Sequence, residues 1–202
     1  MGVRQLFDLT GRTALVTGGA RGLGLQMAEA LAEMGARIAL VARKRAELDA
    51  AVEHLTTAFN VQAMGAVCDL IDVASIAPAV GQVIDALGPI DILVNNAGAT
   101  WGAATVDHPL EAWRKVVDIN LTGMFAMTQE VGKRSMLPRQ RGRVINVASI
   151  LGLGGGQSDP RRASTIAYNT TKGGVVNFTR ALAVEWAPHN IRVNAVAPTW
   201  VK

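Results

Sequence analysis

Thr13-Ala14-Leu15-Val16-Thr17-Gly18-Gly19-Ala20-Arg21-Gly22-Leu23-Gly24 is the stretch that decides the fold. Its first five residues form a short apolar run with β-branched members, which reads as a strand. A helical pattern over 25–34 follows the glycines at once and is stopped by Gly35. Strand, glycine turn and helix in this order open a nucleotide-binding βαβ unit. Gly18, Gly22 and Gly24 let the backbone turn tightly, approach a pyrophosphate and pack the new helix on the sheet, while the helix N-terminus offers free N–H groups and partial positive charge. The spacing departs from G-x-G-x-x-G and lacks the Gly-Lys-Ser/Thr of a P-loop, so neither generic signature matches letter for letter. A glycine-rich loop with no ligand is the plainer alternative.

Further along, Arg37-Ile38-Ala39-Leu40-Val41-Ala42 reads as a second strand, and Arg43 follows it about twenty residues after the glycine turn, where an acid would hold the ribose 2′-hydroxyl of NAD. Here Ala42, Arg43 and Lys44 stand instead, with Arg21 inside the turn. Two guanidinium groups near that ribose can take a 2′-phosphate in fork geometry, so NADP is the expected cofactor. The alternative is that Arg43 and Lys44 only decorate the start of the helix running to Phe59.

A third strand is expected over 61–68, ending at Asp69-Leu70, where Asp69 faces an adenine or caps the next turn. A helix over 73–87 is closed by Gly88-Pro89. The fourth strand, 90–94, ends in Asn95-Asn96-Ala97-Gly98, whose small and amide side chains can line a nucleotide crevice. The span 110–136 reads as one long helix carrying Asn120, an amide on an apolar face that calls for buried hydrogen bonds. A strand over 142–149 ends in the Ser149 hydroxyl, and the glycine-rich span 152–162 after it is expected to be exposed and placed to cover a site. A helix to Trp186 and a sixth strand, 191–197, ending at Pro198 complete the pattern.

Strands and helices alternating at this spacing, with continuous apolar strands, imply a parallel sheet covered on both sides: an α/β, doubly wound Rossmann fold in three αβα layers, as a single domain over 1–202. Its crevice lies at the carboxyl ends of the strands, which gathers the glycine turn, Arg43, Asp69, Asn96, Ser149 and Pro198 on one edge.

Tyr168 and Lys172 lie four apart in a helical run and project from one face. An ammonium beside a phenol favours the phenolate, which makes a general acid/base, and Ser149 can hydrogen-bond a substrate oxygen. Taken alone, Tyr-x-x-x-Lys is more often an ordinary surface pair.

Composition narrows the alternatives. The 202 residues carry a net charge of +4, and the basic groups Arg43-Lys44-Arg45 and Arg139-Gln140-Arg141 are short, so no nucleic-acid partner is expected. One cysteine, Cys68, excludes an intramolecular disulfide and a multi-cysteine metal site, and it reads as buried packing. The 3 histidines lack ligand spacing, so no metal is expected. No run of apolar residues is long enough to span a bilayer and no leader is visible, which points to a cytoplasmic protein without a membrane partner.

Thr17-Gly18-x-x-x-Gly22-x-Gly24, Asn95-Asn96-Ala97-Gly98, Asn120, Ser149 and Tyr168-x-x-x-Lys172 together resemble the classical short-chain dehydrogenase/reductase family, in its NADP-preferring members. The resemblance spans nearly the whole chain. It implies that Tyr168 gives or takes a proton, Lys172 supports its ionised form and binds the nicotinamide ribose, Ser149 holds the substrate oxygen and Asn120 supports a water-linked proton path. It further implies cofactor contacts at Gly18, Arg21, Gly22, Leu23, Gly24, Arg43, Asp69, Leu70, Asn96, Ala97, Gly98, Tyr168, Lys172, Pro198, Thr199 and Val201. The expected reaction interconverts a small-molecule carbonyl and a secondary alcohol with NADP(H), on a substrate like those of gluconate 5-dehydrogenases or 3-oxoacyl reductases. A homotetramer or homodimer is expected on the helices over 110–136 and 168–186. A catalytically silent NADP-binding regulatory or scaffold protein is the competing reading. Three departures stand out: a longer Ser149 to Tyr168 spacing, which places a small insertion at 154–162; Thr199 after Pro198 where a glycine is usual; and an end at Lys202 where family members continue with a substrate-covering segment.

Overall fold

Apolar runs with no polar face to turn to water pair side by side and are covered from above and below. The computed structural model describes residues 2–155 and 164–199. In it these runs become β1 (Thr13–Thr17), β2 (Arg37–Ala42), β3 (Ala63–Val67), β4 (Ile92–Asn95), β5 (Gly142–Val147) and β6 (Ile191–Val196). Every neighbouring pair is parallel and the order is β3-β2-β1-β4-β5-β6. Thr17 sits opposite Val41 on one side and Asn95 on the other, so the ends of β2, β1 and β4 finish level. The chain reverses direction across the sheet between β1 and β4, and such a switch point leaves a crevice at the carboxyl ends.

A short helix, α1 (Val3–Leu6), precedes the sheet. The helices α2 (Gly22–Glu33) and α3 (Arg45–Phe59) cover one face, while α4 (Ile76–Leu87), α6 (Met124–Val131) and α7 (Ile166–Trp186) cover the other, with α5 (Leu110–Val117) leading into α6. Side chains alternate across the sheet. Leu15 packs with Val80, Val83, Met127 and Leu182, whereas Val16 packs with Ala28, Leu40 and Leu48. On α2 the buried positions are glycine and alanine, which lets that helix lie close to the strands and brings its N-terminus to the glycine turn.

The 110–136 span is helical throughout, but with π-helical turns at Asp118–Gly123 and Gly132–Met136 between its α segments. Each wider turn takes in extra chain and rotates the faces that follow, a feature frequent at functional sites. Strand ends also differ from the sequence reading. β5 stops at Val147, and Ser149 instead caps a 3₁₀ turn, Ile150–Gly152. β4 begins at Ile92, just after Asp91, whose carboxylate accepts from Thr13 N–H at 3.1 Å and pairs with Arg139 at 3.1 Å. Most of the 152–162 span lies outside the described residues.

Among the described residues no helix is long and apolar enough to cross a membrane, and no group of three or more His, Cys, Asp or Glu is placed to hold a metal ion.

Candidate active site

The end of β1 is tied to the end of β4 through one hydroxyl. Thr17 Oγ1 accepts from the backbone N–H of both Asn96 and Ala97 at 3.1 Å, and the Asn96 amide donates back to Thr17 O at 3.1 Å and Gly18 O at 3.2 Å. This lock fixes the glycine turn against Asn95-Asn96-Ala97-Gly98. Gly22 adopts φ 55° at the start of α2, a left-handed conformation that disfavours a side chain. At Gly24 an added Cβ would collide with the Gly18 carbonyl and the Asn96 amide, so the glycine there is demanded by packing.

Above the turn lies a cavity of about 580 Å³ lined by Gly18, Arg21, Gly22, Leu23, Gly24, Arg43, Asp69, Leu70, Asn96, Ala97 and Gly98. A second, of about 490 Å³, is lined by Ser149, Tyr168, Lys172, Pro198 and Thr199. The two share Leu23, Asn96, Gly98 and Ala99, so they form one elongated trough along the carboxyl edge. A free helix N-terminus at its middle, cations at one end and a hydroxyl, phenol and ammonium at the other fit a dinucleotide's pyrophosphate, 2′-phosphate and reactive ring. Val201 lies outside the described residues; every other expected cofactor-contacting residue lines the trough.

Lys172 is 5% exposed, and its ammonium donates to Val147 O at 2.5 Å. Its Nζ stands 5.6 Å from the centroid of the Tyr168 ring, as their helical spacing predicts. Burial pushes the Lys172 pKa down from 10.5 to about 8. Ser149 is buried in extended backbone, and its Oγ accepts from Leu151 N–H at 3.2 Å. Its position is set from both sides, by Ala148 N–H on Val196 O at 2.8 Å and Ile150 N–H on Pro198 O at 3.2 Å. Gly152 packs so closely on the Lys172 backbone that a Cβ has no room, which holds the turn after Ser149 against α7.

Asn120 does not line the trough. Only 2% exposed, its amide accepts from Ala99 N–H and donates to Ala99 O and to Thr171 Oγ1. The sequence reading of a buried, hydrogen-bonded amide holds, and its side chain ties the trough wall to α7. Asp69 lines the cavity while its carboxylate accepts from Ile71 N–H at 3.1 Å, so both of its expected roles are compatible. Cys68 is buried, and burial raises its thiol pKa, in keeping with packing. At the cationic end Arg21, Arg43 and Lys44 are joined by Glu47, which the sequence reading passed over. It stands in the first turn of the helix that follows Arg43 and Lys44, and that closeness in sequence was the available signal.

A doubly wound parallel sheet with a glycine turn at its switch point, and with serine, tyrosine and lysine grouped on its carboxyl edge, defines a nicotinamide-dependent oxidoreductase class. The chain belongs to the short chain dehydrogenase family, whose pattern matches residues 12–202. Among its relatives, the 3-oxoacyl-[acyl-carrier-protein] reductase of Aquifex aeolicus is 36% identical over 96% of this chain and 75% of its own length. The gluconate 5-dehydrogenase of Gluconobacter oxydans is 36% identical over 96% and 73%. Of solved structures, the actinorhodin polyketide ketoreductase with NADPH superposes with a TM-score of 0.89 at 39% identity, covering 100% of this chain and 73% of that one. The NAD+-bound xylitol dehydrogenase gives 0.88 at 35%, covering 95% and 71%.

Proposed function

We propose that the chain is the catalytic domain of an NADP(H)-dependent enzyme that interconverts a carbonyl and a secondary alcohol, with Tyr168 as the acid/base. The observation that carries this reading is the placing of Ser149, Tyr168 and Lys172 on the wall of a cavity continuous with the glycine turn. When bound, the nicotinamide supplies or accepts the hydride at the carbonyl carbon. The protein's residues do the rest. The Tyr168 phenol gives its proton to the substrate oxygen during reduction and takes it back during oxidation. Lys172, as an ammonium, favours the phenolate and donates to a ribose hydroxyl. Ser149 donates to the substrate oxygen and fixes its distance from Tyr168. Asn120 supports a water-linked proton path, and its side chain holds Ala99 and α7 in place.

Arg21, Arg43 and Lys44 favour NADP over NAD, and the absence of an acid at the end of β2 supports the same choice. The names of the Aquifex and Gluconobacter relatives support a 3-oxoacyl thioester or a sugar acid as substrate. Exposed Leu110, Phe125 and Val184 on α5, α6 and α7 suit a homodimer or homotetramer, and we place the enzyme in the cytoplasm. The test is to mix the protein with NADPH or NADH and a panel of ketones, sugar acids and 3-oxoacyl thioesters and follow nicotinamide absorbance. Oxidation with at least one member, faster with NADPH, is the expected result. Nucleotide binding with no turnover on any member would favour the silent binding protein instead.

A further inference from the structure

Resting on the NADP reading above, we propose that Glu47 is an internal counter-ion of the 2′-phosphate seat and sets cofactor choice by weakening NADP(H) binding while leaving NAD(H) binding nearly unchanged. Glu47 stands in the first turn of α3 with its side chain on the wall of the glycine-turn cavity. One carboxylate oxygen accepts from Lys44 Nζ at 2.7 Å and the other lies 3.8 Å from Arg21 Nε. Those cations, with Arg43, are the groups available to grip a 2′-phosphate. The hydrogen bond from Lys44 is the main reason the Glu47 carboxyl is held below its ordinary pKa, with Arg21 and Arg43 adding to it, so the group is a carboxylate throughout the neutral range.

A phosphate arriving here meets a seat whose positive charge is already one unit lower and whose Lys44 ammonium already donates to Glu47. It must share or displace the Glu47 carboxylate, and the two anions repel. A ribose carrying only its 2′-hydroxyl meets no such opposition, because a hydroxyl can donate to a carboxylate. The same side chain therefore acts against one cofactor and is neutral toward the other. Sequence reasoning from the end of β2, where no acid stands, sees only the cations and misses this opposing charge.

The test is the dissociation constants of NADPH, NADH and the fragment 2′,5′-ADP, measured by titration at low ionic strength for the unsubstituted chain, Glu47→Gln and Glu53→Gln. Glu53 is an exposed acid farther along α3 and controls for net charge. Glu47→Gln is expected to tighten NADPH and 2′,5′-ADP by roughly tenfold, as removal of one adjacent like charge implies, and to move NADH by less than about twofold. Glu53→Gln should leave all three within about twofold, and the gain from Glu47→Gln should shrink as salt is added. Equal changes for NADPH and NADH, or weaker NADPH binding in Glu47→Gln, overturn the role of Glu47 while leaving the oxidoreductase reading intact. Failure of the unsubstituted chain to bind any of the three overturns both.

Discussion

The side-chain amide of Asn120 holds the backbone of Ala99 at both ends, accepting from its N–H at 2.8 Å and donating to its carbonyl at 3.0 Å. A further bond of 2.9 Å to Thr171 Oγ1 joins the loop after β4 to the helix that carries Tyr168 and Lys172. Thr171 in turn donates to the Tyr168 carbonyl at 2.9 Å. The wall shared by the two halves of the trough and the residues proposed for proton transfer are thus fixed to one another through a single buried amide. Asn120→Ala should therefore cost about 3 kcal/mol in urea unfolding, from three hydrogen bonds lost at roughly 1 kcal/mol each. It should also weaken NADPH binding. A stability within about 0.5 kcal/mol of the parent would show that the amide is dispensable.

The glycine turn makes a paired prediction. Gly24→Ala puts a methyl into the Gly18 carbonyl and the Asn96 amide, so it should disrupt the lock between β1 and β4, destabilise the chain and abolish nucleotide binding. At Gly22 nothing lies within 4 Å of an added Cβ, and the cost is the left-handed backbone alone, about 1–2 kcal/mol. Thermal unfolding and NADPH titration of both variants should rank Gly24→Ala well below Gly22→Ala. The reverse order would contradict the packing described here.

Lys172 makes a prediction about pH. Its pKa lies near 8 in the folded chain against 10.5 ordinarily, so between these values the unfolded chain binds the extra proton and stability rises with pH. Below about pH 8 the full cost of the buried ammonium is present, on the order of 3 kcal/mol; above about 10.5 it is relieved. Relative to Lys172→Met, the parent should gain stability as pH rises through that window. Chemical unfolding of both proteins across the window checks it, and parallel curves would contradict the burial assigned to Lys172.

Much of this was legible from residue order. Each strand and glycine signal is local, and the rule that parallel sheets bind ligands at their carboxyl ends turned a linear series of motifs into one edge. Tyr168 and Lys172 were legible for the same reason, since helical spacing alone makes them neighbours. What escaped was decided by contacts distant in sequence. The π turn at Asp118–Gly123 is not written in propensity, and the turn that Ser149 caps after β5 packs through Gly152 on the Lys172 backbone. The contacts of the Asp91 carboxylate with Thr13 and Arg139, just before β4, likewise join residues far apart in the chain. Glu47 was readable as an acid in the helix turn just after Arg43 and Lys44, yet its meaning needed Arg21, brought in from the glycine turn.

The central claim is that Tyr168 transfers the proton, and the most direct test is Tyr168→Phe assayed for turnover on a substrate identified in the panel, with NADPH affinity measured alongside. Tyr168 is the chain's 1 tyrosine, so no other phenol can substitute for it. Turnover is expected to fall by about a hundredfold to ten-thousandfold, the range for losing a positioned acid/base, with NADPH binding largely intact. Turnover within about tenfold of the parent would contradict it.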